Sequence, residues 1–64
     1  MNGKLLLTVD EAAEMLGVAR VTLYRLMSRS LLRSVHIGRA VRIPRTELER
    51  FARELTEVGR VETR

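Results

Sequence analysis

The sequence predicts a small, mostly helical α+β domain with three helices and one two-stranded β-hairpin. Three observations predict it: apolar residues recur at helical spacing in two short runs before residue 30, alternate with polar residues over 35–43, and return to helical spacing over 45–58. We expect the chain of 64 residues to form one domain, with a core over 5–58 and a polar tail over 59–64.

The first helix is predicted to begin at a capping box. The hydroxyl of Thr8 is placed to accept the backbone N–H of Glu11, whose carboxylate is placed to reach back to the backbone of Thr8. Capping and the helix dipole explain the acidic residues of this first turn better than acid–base chemistry does. Gly17 ends the helix because glycine adopts the left-handed cap conformation without a Cβ penalty. The predicted buried stripe comprises Ala12, Ala13 and Leu16.

The second helix is predicted to run from Arg20 to about Arg29. Its predicted buried face comprises Leu23, Leu26, Met27 and Ser30. The opposite face carries two neighbouring rows, formed by Arg20, Tyr24 and Ser28 and by Val21 and Arg25. The outward side therefore offers two guanidinium groups, a phenol and a hydroxyl. We expect Met27, and also Met15 of the first helix, to fill gaps in the core.

After residue 32 the period of apolar residues changes from helical spacing to alternation, which predicts a β-hairpin. The alternating β-branched residues, on either side of a turn at Gly38-Arg39-Ala40, are Val35, Ile37, Val41 and Ile43. His36 and Arg42 lie between them and are expected to face the same side. Pro44 lacks a backbone N–H, so it suits both the end of an edge strand and the start of a helix.

A third helix is predicted over roughly residues 45–58. Charged residues occupy most of its surface, and Gly59 is placed to cap its end. Its predicted buried stripe comprises Leu48, Phe51, Ala52 and Leu55. We expect residues 60–64 to fray or to extend the helix without packing.

Basic residues are concentrated in the middle of the chain. The net charge of +4 arises from 12 basic and 8 acidic residues, and all the basic residues except Lys4 are arginine. Residues 15–45, which we call the basic segment, contain no acidic residue, and this is typical of a surface that faces phosphates. A solvated surface is the alternative, but the planar fork of arginine pairs bidentately with phosphate or guanine. The arginines of the segment are Arg20, Arg25, Arg29, Arg33, Arg39, Arg42 and Arg45.

Two short helices joined by a glycine-containing turn, the first acidic and the second basic, are typical of a helix-turn-helix. The motif needs a small residue where the helices cross, a glycine in the turn and apolar residues beyond it. Ala13, Gly17, Leu23 and Leu26 meet these requirements at the right spacing. Another kind of two-helix hairpin shares this pattern. The basic β-turn that follows favours a winged helix-turn-helix, because such a wing lies along the DNA backbone or reaches the minor groove.

Two motifs carry a resemblance to a known family. They are the run Thr8-Val9-Asp10-Glu11-Ala12-Ala13-Glu14-Met15-Leu16-Gly17-Val18 and the run Gly38-Arg39-Ala40-Val41-Arg42-Ile43-Pro44. Over residues 5 to about 55 the chain resembles the excisionase family of small winged-helix proteins, which is related to the DNA-binding domain of MerR-type regulators. The resemblance implies a DNA-binding protein without enzymatic activity. Its second helix would enter the major groove, and its wing would contact the backbone or the minor groove.

Three positions depart from the family pattern. Ala19 stands where the family usually has a Ser or Thr that caps the second helix, at a cost of roughly 0.5 to 2 kcal/mol. Ser30 stands where a glycine usually ends that helix, and Arg33 stands where a proline often starts the strand. These departures leave the helix boundaries open by a residue or two and favour marginal stability of the free protein, but they leave the expected DNA contacts in place.

Carried over position by position, the resemblance implies DNA contacts from the second helix and the wing. We expect Arg20, at the helix start, to read base edges and Arg25 to anchor a phosphate, with solubilising surface charge as the alternative for both. Tyr24 either contacts the sugar–phosphate backbone or seals the edge of the core. Arg39 is expected to contact DNA. His36 and Arg42 face either DNA or solvent. The full set comprises Arg20, Val21, Thr22, Tyr24, Arg25 and Ser28 in the helix, His36, Arg39 and Arg42 in the wing, and Arg29 and Arg33 as further basic residues.

We predict no catalytic residues, no metal site and no cofactor. The chain has no cysteine and a single histidine, so His36 lacks partners for a metal site or a general-base role. One Tyr and one Phe provide no stacking platform for single-stranded RNA. No apolar run approaches the roughly 20 residues that cross a bilayer, so we expect no membrane partner and a location in the cytoplasm of a bacterial host, associated with the nucleoid.

The predicted function is binding and bending of double-stranded DNA as an excisionase, or recombination directionality factor, in phage or mobile-element recombination. We expect several copies to bind repeated sites cooperatively, with an integrase as a further partner. A small transcriptional regulator that binds promoter DNA is the alternative, and a module that binds an acidic protein is a third hypothesis. Salt dependence separates the third from DNA binding, because phosphate contacts release counterions.

Overall fold

The computed structural model describes residues 4–60. Helices and strands follow one another in the order β1 (Leu6–Leu7), α1 (Val9–Leu16), α2 (Arg20–Ser28), β2 (Val35–Ile37), β3 (Ala40–Pro44) and α3 (Arg45–Val58). The prediction of a mixed, mostly helical α+β fold with three helices is confirmed. Of the predicted polar tail, residues 61–64 lie outside the described residues. Within residues 4–60, no helix combines the length and the apolar character needed to cross a membrane.

The sheet has three antiparallel strands in the order β1-β3-β2, so the prediction of a two-stranded hairpin missed one strand. Leu6 pairs with Pro44 and Leu7 pairs with Ile43. A strand of two residues is too short to show alternation, and its pairing partners lie far along the chain. Pro44 therefore ends the central strand rather than an edge strand. The ladder continues past it, because the N–H of Arg45 donates to the carbonyl of Leu5 at 2.8 Å.

Both ends of α1 form as predicted. The N–H of Glu11 donates to the hydroxyl of Thr8 at 3.0 Å, and the N–H of Thr8 donates to the Glu11 carboxylate at 2.9 Å. Gly17 has a φ of 75°, and the N–H groups of Gly17 and Val18 donate to carbonyls of the last turn. This Schellman arrangement places the chain in position to begin α2 after a turn of three residues.

The last turn of α2 differs from the prediction. The helix ends at Ser28, and Ser30 is exposed instead of lying on the buried face. Ser30 has a φ of 61°, the left-handed conformation that favours glycine, and its N–H donates to the carbonyl of Met27 while that of Leu31 donates to Leu26. A serine thus completes a Schellman motif, because two backbone hydrogen bonds offset its strained φ.

The core lies between the three helices and one face of the sheet. Its buried residues are Leu7, Val9, Ala12, Ala13, Leu23, Leu26, Leu32, Ile43, Leu48 and Phe51. Leu16, Met27, Val41 and Leu55 pack against this cluster. Two predicted core positions are wrong: Met15 is 52% exposed and Ala52 is exposed. Each lies beside a buried stripe rather than on it. The stripe of α1 is centred on Val9 and Ala12, and that of α3 is centred on Leu48 and Phe51.

Candidate nucleic-acid interface

The first two helices pack against each other as a helix-turn-helix requires. Ala13 is buried on α1, and Leu23 and Leu26 are buried on α2. Gly17 has the positive φ that the turn needs. The four positions that identify the motif in the sequence therefore perform the expected structural roles, and α2 occupies the place of a recognition helix.

The outer face of α2 is exposed along its length. Val21 is 55% exposed and Tyr24 is 44% exposed, and the side chains of Arg20, Arg25 and Ser28 are also exposed. The Ser28 hydroxyl donates to the carbonyl of Arg25 at 3.0 Å, so it is turned back towards the helix. The helix thus presents two guanidinium groups and a phenol to solvent.

Thr22 lies at the edge of this face rather than on it. It is half-buried and lines a groove together with Leu26, Phe51 and Leu55, between the second and third helices. Its side chain therefore lies closer to the core than those of Val21 and Tyr24 do.

Arg20, at the start of α2, is held by residues of two helices. One terminal nitrogen of its guanidinium lies 3.3 Å from the Asp10 carboxylate of α1, and the other donates to the Tyr24 hydroxyl at 3.5 Å. The guanidinium carbon lies 5.7 Å from the centre of the Tyr24 ring. The hydrogen bond to Tyr24 and the charge of Asp10 both raise the pKa of Arg20 above its usual value.

Acidic residues approach the basic segment in three dimensions, although they are absent from it in sequence. Asp10 pairs with Arg20, and Glu49 lies 3.6 Å from Arg45. The absence of acidic residues from the segment in sequence therefore does not extend to the space around these two arginines, because folding brings α1 and α3 against them. Within residues 4–60 the side chains of Arg25 and Arg39 form no ion pair, so they carry unneutralised charge.

The loop between α2 and β2 is anchored to α3. The backbone N–H of Arg33 donates to the Glu47 carboxylate at 3.0 Å, and Arg50 both pairs with Glu47 and donates to the carbonyl of Leu31 at 3.3 Å. The pKa of Glu47 lies below its usual value, mainly because Arg50 donates a hydrogen bond to its carboxylate and also because the N–H of Arg33 does. Partial burial of the carboxylate acts in the opposite direction and raises the pKa. The side chains of Arg33 and Arg29 remain exposed.

The wing consists of β2, β3 and the turn between them. Gly38 adopts a φ of 62°, and Arg39 at the tip is exposed. His36 pairs with Val41, and Arg42 pairs with Val35. Residues directly opposite each other in an antiparallel pair share a face, so His36 and Arg42 lie on opposite faces of the wing, and the expectation that they share one is wrong.

The error follows from the length of the turn. Two residues separate β2 from β3, so each even-numbered residue of one strand stands opposite an odd-numbered residue of the other. His36 therefore points to the side of Val41 and the buried Ile43. Arg42 is half-buried, and one of its terminal nitrogens donates to the carbonyl of Val41 at 2.9 Å. The carbonyl holds the Arg42 guanidinium against its own strand.

Asp10 is the residue that sequence reasoning missed at this interface. It was explained by the dipole of α1, and this explanation holds, since it lies in the first turn. Its contact with Arg20 depends on how α1 crosses α2, and no pattern within either helix alone encodes that crossing. The spacing of the helix-turn-helix motif is the signal that could have indicated it.

Fold and surface together define a helix-turn-helix DNA-binding domain with a β-hairpin wing. The model of a family described as "Helix-turn-helix domain" matches residues 6–56, and the chain belongs to this family.

A curated relative sharpens the comparison. Over 55 residues the chain is 46% identical to a protein of Saccharopolyspora erythraea named "Probable excisionase". The aligned region covers 86% of this chain and 56% of the relative, so the chain spans little more than half the relative's length. The resemblance to the excisionase family is thereby confirmed. No solved structure matches the chain.

Proposed function

We propose that this chain binds double-stranded DNA through α2 and the wing, and that it acts as an excisionase, a recombination directionality factor of a phage or mobile element. The observation that carries the proposal is the outer face of α2. Arg20 and Arg25 stand exposed there, on the helix that a helix-turn-helix inserts into the major groove. The kinship with a probable excisionase supports the recombination role.

In the proposed complex the two arginines of α2 have different tasks. Arg20 lies at the helix start, which enters the groove first, so its planar fork is assigned to the edge of a guanine. Arg25 lies more than one turn further along and is free of ion pairs within residues 4–60, so it is assigned to a phosphate. Val21 and Tyr24 are both exposed. Val21 would pack on the methyl groups of bases, and Tyr24 would contact a sugar or a phosphate.

The wing adds a second contact. Arg39 is assigned to the DNA backbone or the minor groove, because an exposed turn residue without an ion pair has its whole charge available. Arg42 is assigned a lesser part, since its guanidinium already bonds the carbonyl of Val41. His36, on the other face from Arg42, is assigned to solvent or a single phosphate.

A module of this size covers few base pairs, so the proposal includes several copies bound cooperatively to adjacent sites. Bending by these copies would bring distant integrase sites together, with an integrase as the protein partner. No enzymatic step is assigned to this chain. The same contacts would serve a transcriptional regulator, and dependence on an integrase in a recombination assay separates the two roles.

The test measures binding to a labelled attachment-site fragment and to a shuffled duplex of the same composition, over a series of salt concentrations. We expect a ladder of bent complexes, with log K falling by about 0.9 per neutralised phosphate for each unit of log salt. A salt-independent affinity would contradict the proposal and favour a protein partner. A single unbent complex would contradict the excisionase role.

Substitutions separate the two surfaces. Arg20→Ala should reduce discrimination between the two duplexes by about 1 to 3 kcal/mol. Arg39→Ala should weaken binding to both duplexes alike and make the salt dependence shallower. Arg53→Ala is the matched control, since Arg53 is an exposed arginine of α3. Parental binding by the Arg20 and Arg39 variants, or equal loss in the control, would show that the surfaces are wrongly assigned.

A further inference from the structure

We infer that Asp10 is a positioning residue for Arg20, and that it makes Arg20 discriminate between base edges and phosphates. The inference rests on the proposed DNA binding and names a determinant of specificity outside the recognition helix. Asp10 belongs to α1, ten residues before the arginine on which it acts, and its carboxylate reaches the guanidinium where the two helices meet.

The geometry fixes both ends of the guanidinium. One terminal nitrogen is engaged by the Asp10 carboxylate at 3.3 Å and the other by the Tyr24 hydroxyl at 3.5 Å, with the Tyr24 ring 5.7 Å from the guanidinium carbon. Two contacts on opposite terminal nitrogens restrict rotation of the planar group. A free arginine on a helix surface has many rotamers, and binding orders it at a cost in conformational entropy. The contacts with Asp10 and Tyr24 lower this cost, because they already order the Arg20 side chain before DNA binds.

The fold has little need of this ion pair. The side chains of Arg20 and Asp10 are 61% and 71% exposed, and a pair so exposed contributes little to folding stability. A carboxylate beside the tip of a recognition-helix arginine has a stronger effect on ligands. It repels the full negative charge of a phosphate that approaches Arg20 much more strongly than the edge of a base, whose acceptors carry only partial charges. Asp10 thus weakens contacts to any DNA backbone more than it weakens contacts to the correct base.

Glu14 provides a matched control for Asp10. It is an exposed carboxylate on the same helix, and its side chain forms no ion pair within residues 4–60. Asp10→Asn and Glu14→Gln each remove one negative charge and leave the shape of the side chain nearly unchanged. They raise the net charge of the protein equally, so a general attraction to DNA affects both variants alike, and only Asp10→Asn releases Arg20.

The experiment uses the full chain and two labelled duplexes, one selected by the parent protein from a random-sequence pool and one with that sequence shuffled. We expect Asp10→Asn to bind the shuffled duplex more tightly and to lower the ratio of the two affinities by about fivefold to tenfold, a part of the discrimination that one bidentate arginine supplies. Its salt slope on the shuffled duplex should steepen by about 0.9, as one more phosphate contact requires. Glu14→Gln should leave the ratio unchanged.

Two further variants test whether Asp10 acts through Arg20. In an Arg20→Ala background, Asp10→Asn should change the ratio no more than Glu14→Gln does. Tyr24→Phe removes the hydroxyl contact and keeps the ring, so it should lower the ratio in the same direction by a smaller factor. Circular dichroism verifies that each variant is folded, and Tyr24→Phe supplies the measurement if Asp10→Asn is not.

The outcomes separate the inference from the proposed function. If the parent protein selects no duplex and shows no salt dependence, the proposed function fails and the inference fails with it. If the parent discriminates but Asp10→Asn and Glu14→Gln lower the ratio equally, the inference alone is overturned. A ratio that falls with Asp10→Asn in the Arg20→Ala background also overturns it, because Asp10 would then act without the arginine.

Discussion

The missing cap of α2 allows a test of how much one hydrogen bond at a helix start contributes to this small domain. Ala19 precedes the helix with φ and ψ of −70° and 154°, and no side chain bonds its first turn. Thr8 precedes α1 with nearly the same angles, −70° and 165°, and its hydroxyl accepts the N–H of Glu11. The backbone at Ala19 is therefore already in the conformation that a capping side chain needs.

Ala19→Ser supplies an oxygen in that position, where it can accept the N–H of Val21, since the N–H of Thr22 already donates to the carbonyl of Ala19 at 3.0 Å. Capping substitutions of this kind contribute about 1 kcal/mol, and for a domain of this size that corresponds to a rise in Tm of roughly 4 to 8 °C. Thermal unfolding followed by far-UV circular dichroism measures the change. Thr8→Ala, which deletes the existing cap, should lower the free energy of unfolding by about 0.5 to 2 kcal/mol.

Two controls make the result interpretable. Ala19→Val should not raise stability, because valine lacks the oxygen and ranks with alanine as a residue before a helix. Ala19→Asp should stabilise as serine does while weakening DNA binding, because it adds a negative charge beside Arg20, on the face that we propose enters the major groove. An unchanged Tm in Ala19→Ser, measured alongside a destabilised Thr8→Ala, would refute the argument that α2 lacks a usable cap.

Two further predictions concern other helix ends. Ser30→Gly should raise the free energy of unfolding by about 1 kcal/mol in a denaturant titration, because the φ of 61° at Ser30 is strained for a residue with a Cβ and not for glycine. A destabilised variant would show that the serine side chain contributes to stability at this position. Hydrogen bonds from Lys4 and, less strongly, from the Thr8 backbone N–H lower the pKa of Glu11 from 4.5 to about 2. The ionised carboxylate therefore stabilises the fold above pH 4.5, and this stabilisation is lost as the pH falls towards 2. Melting profiles across that range should be flatter for Glu11→Gln than for the parent, and parallel profiles would contradict this origin of acid sensitivity.

Features that depend on residues close together in the chain were predictable from the sequence. The cap at Thr8 needs a partner three residues away, and the turn at Gly17 needs a residue that tolerates positive φ. The buried stripes of the helices follow from periodicity within one segment. The helix-turn-helix spacing extends this local logic over two helices, because Ala13 and Leu23 meet across a short turn of limited geometry.

Features that depend on residues far apart in the chain were not predictable in this way. The pairing of β1 with the end of β3 joins Leu6 to Pro44, and a strand of two residues leaves no periodic signal. The face on which His36 lies is a local feature that was nevertheless missed, because it depends on the exact count of residues in a turn and a shift of one reverses every side chain of the strand. Neither feature is visible in the composition of its own segment.

By itself the sequence determined the class of this protein: helices begin and end where local hydrogen bonds and positive φ allow, and arginines concentrate where a DNA-binding surface needs charge. Only the tertiary structure decided how that charge is used. It brought Asp10 against Arg20 and left Arg25 and Arg39 free of ion pairs within the described residues. The reason is physical: Coulomb attraction and hydrogen bonding depend on distances in space, which for these residues are set by helix crossing and strand register.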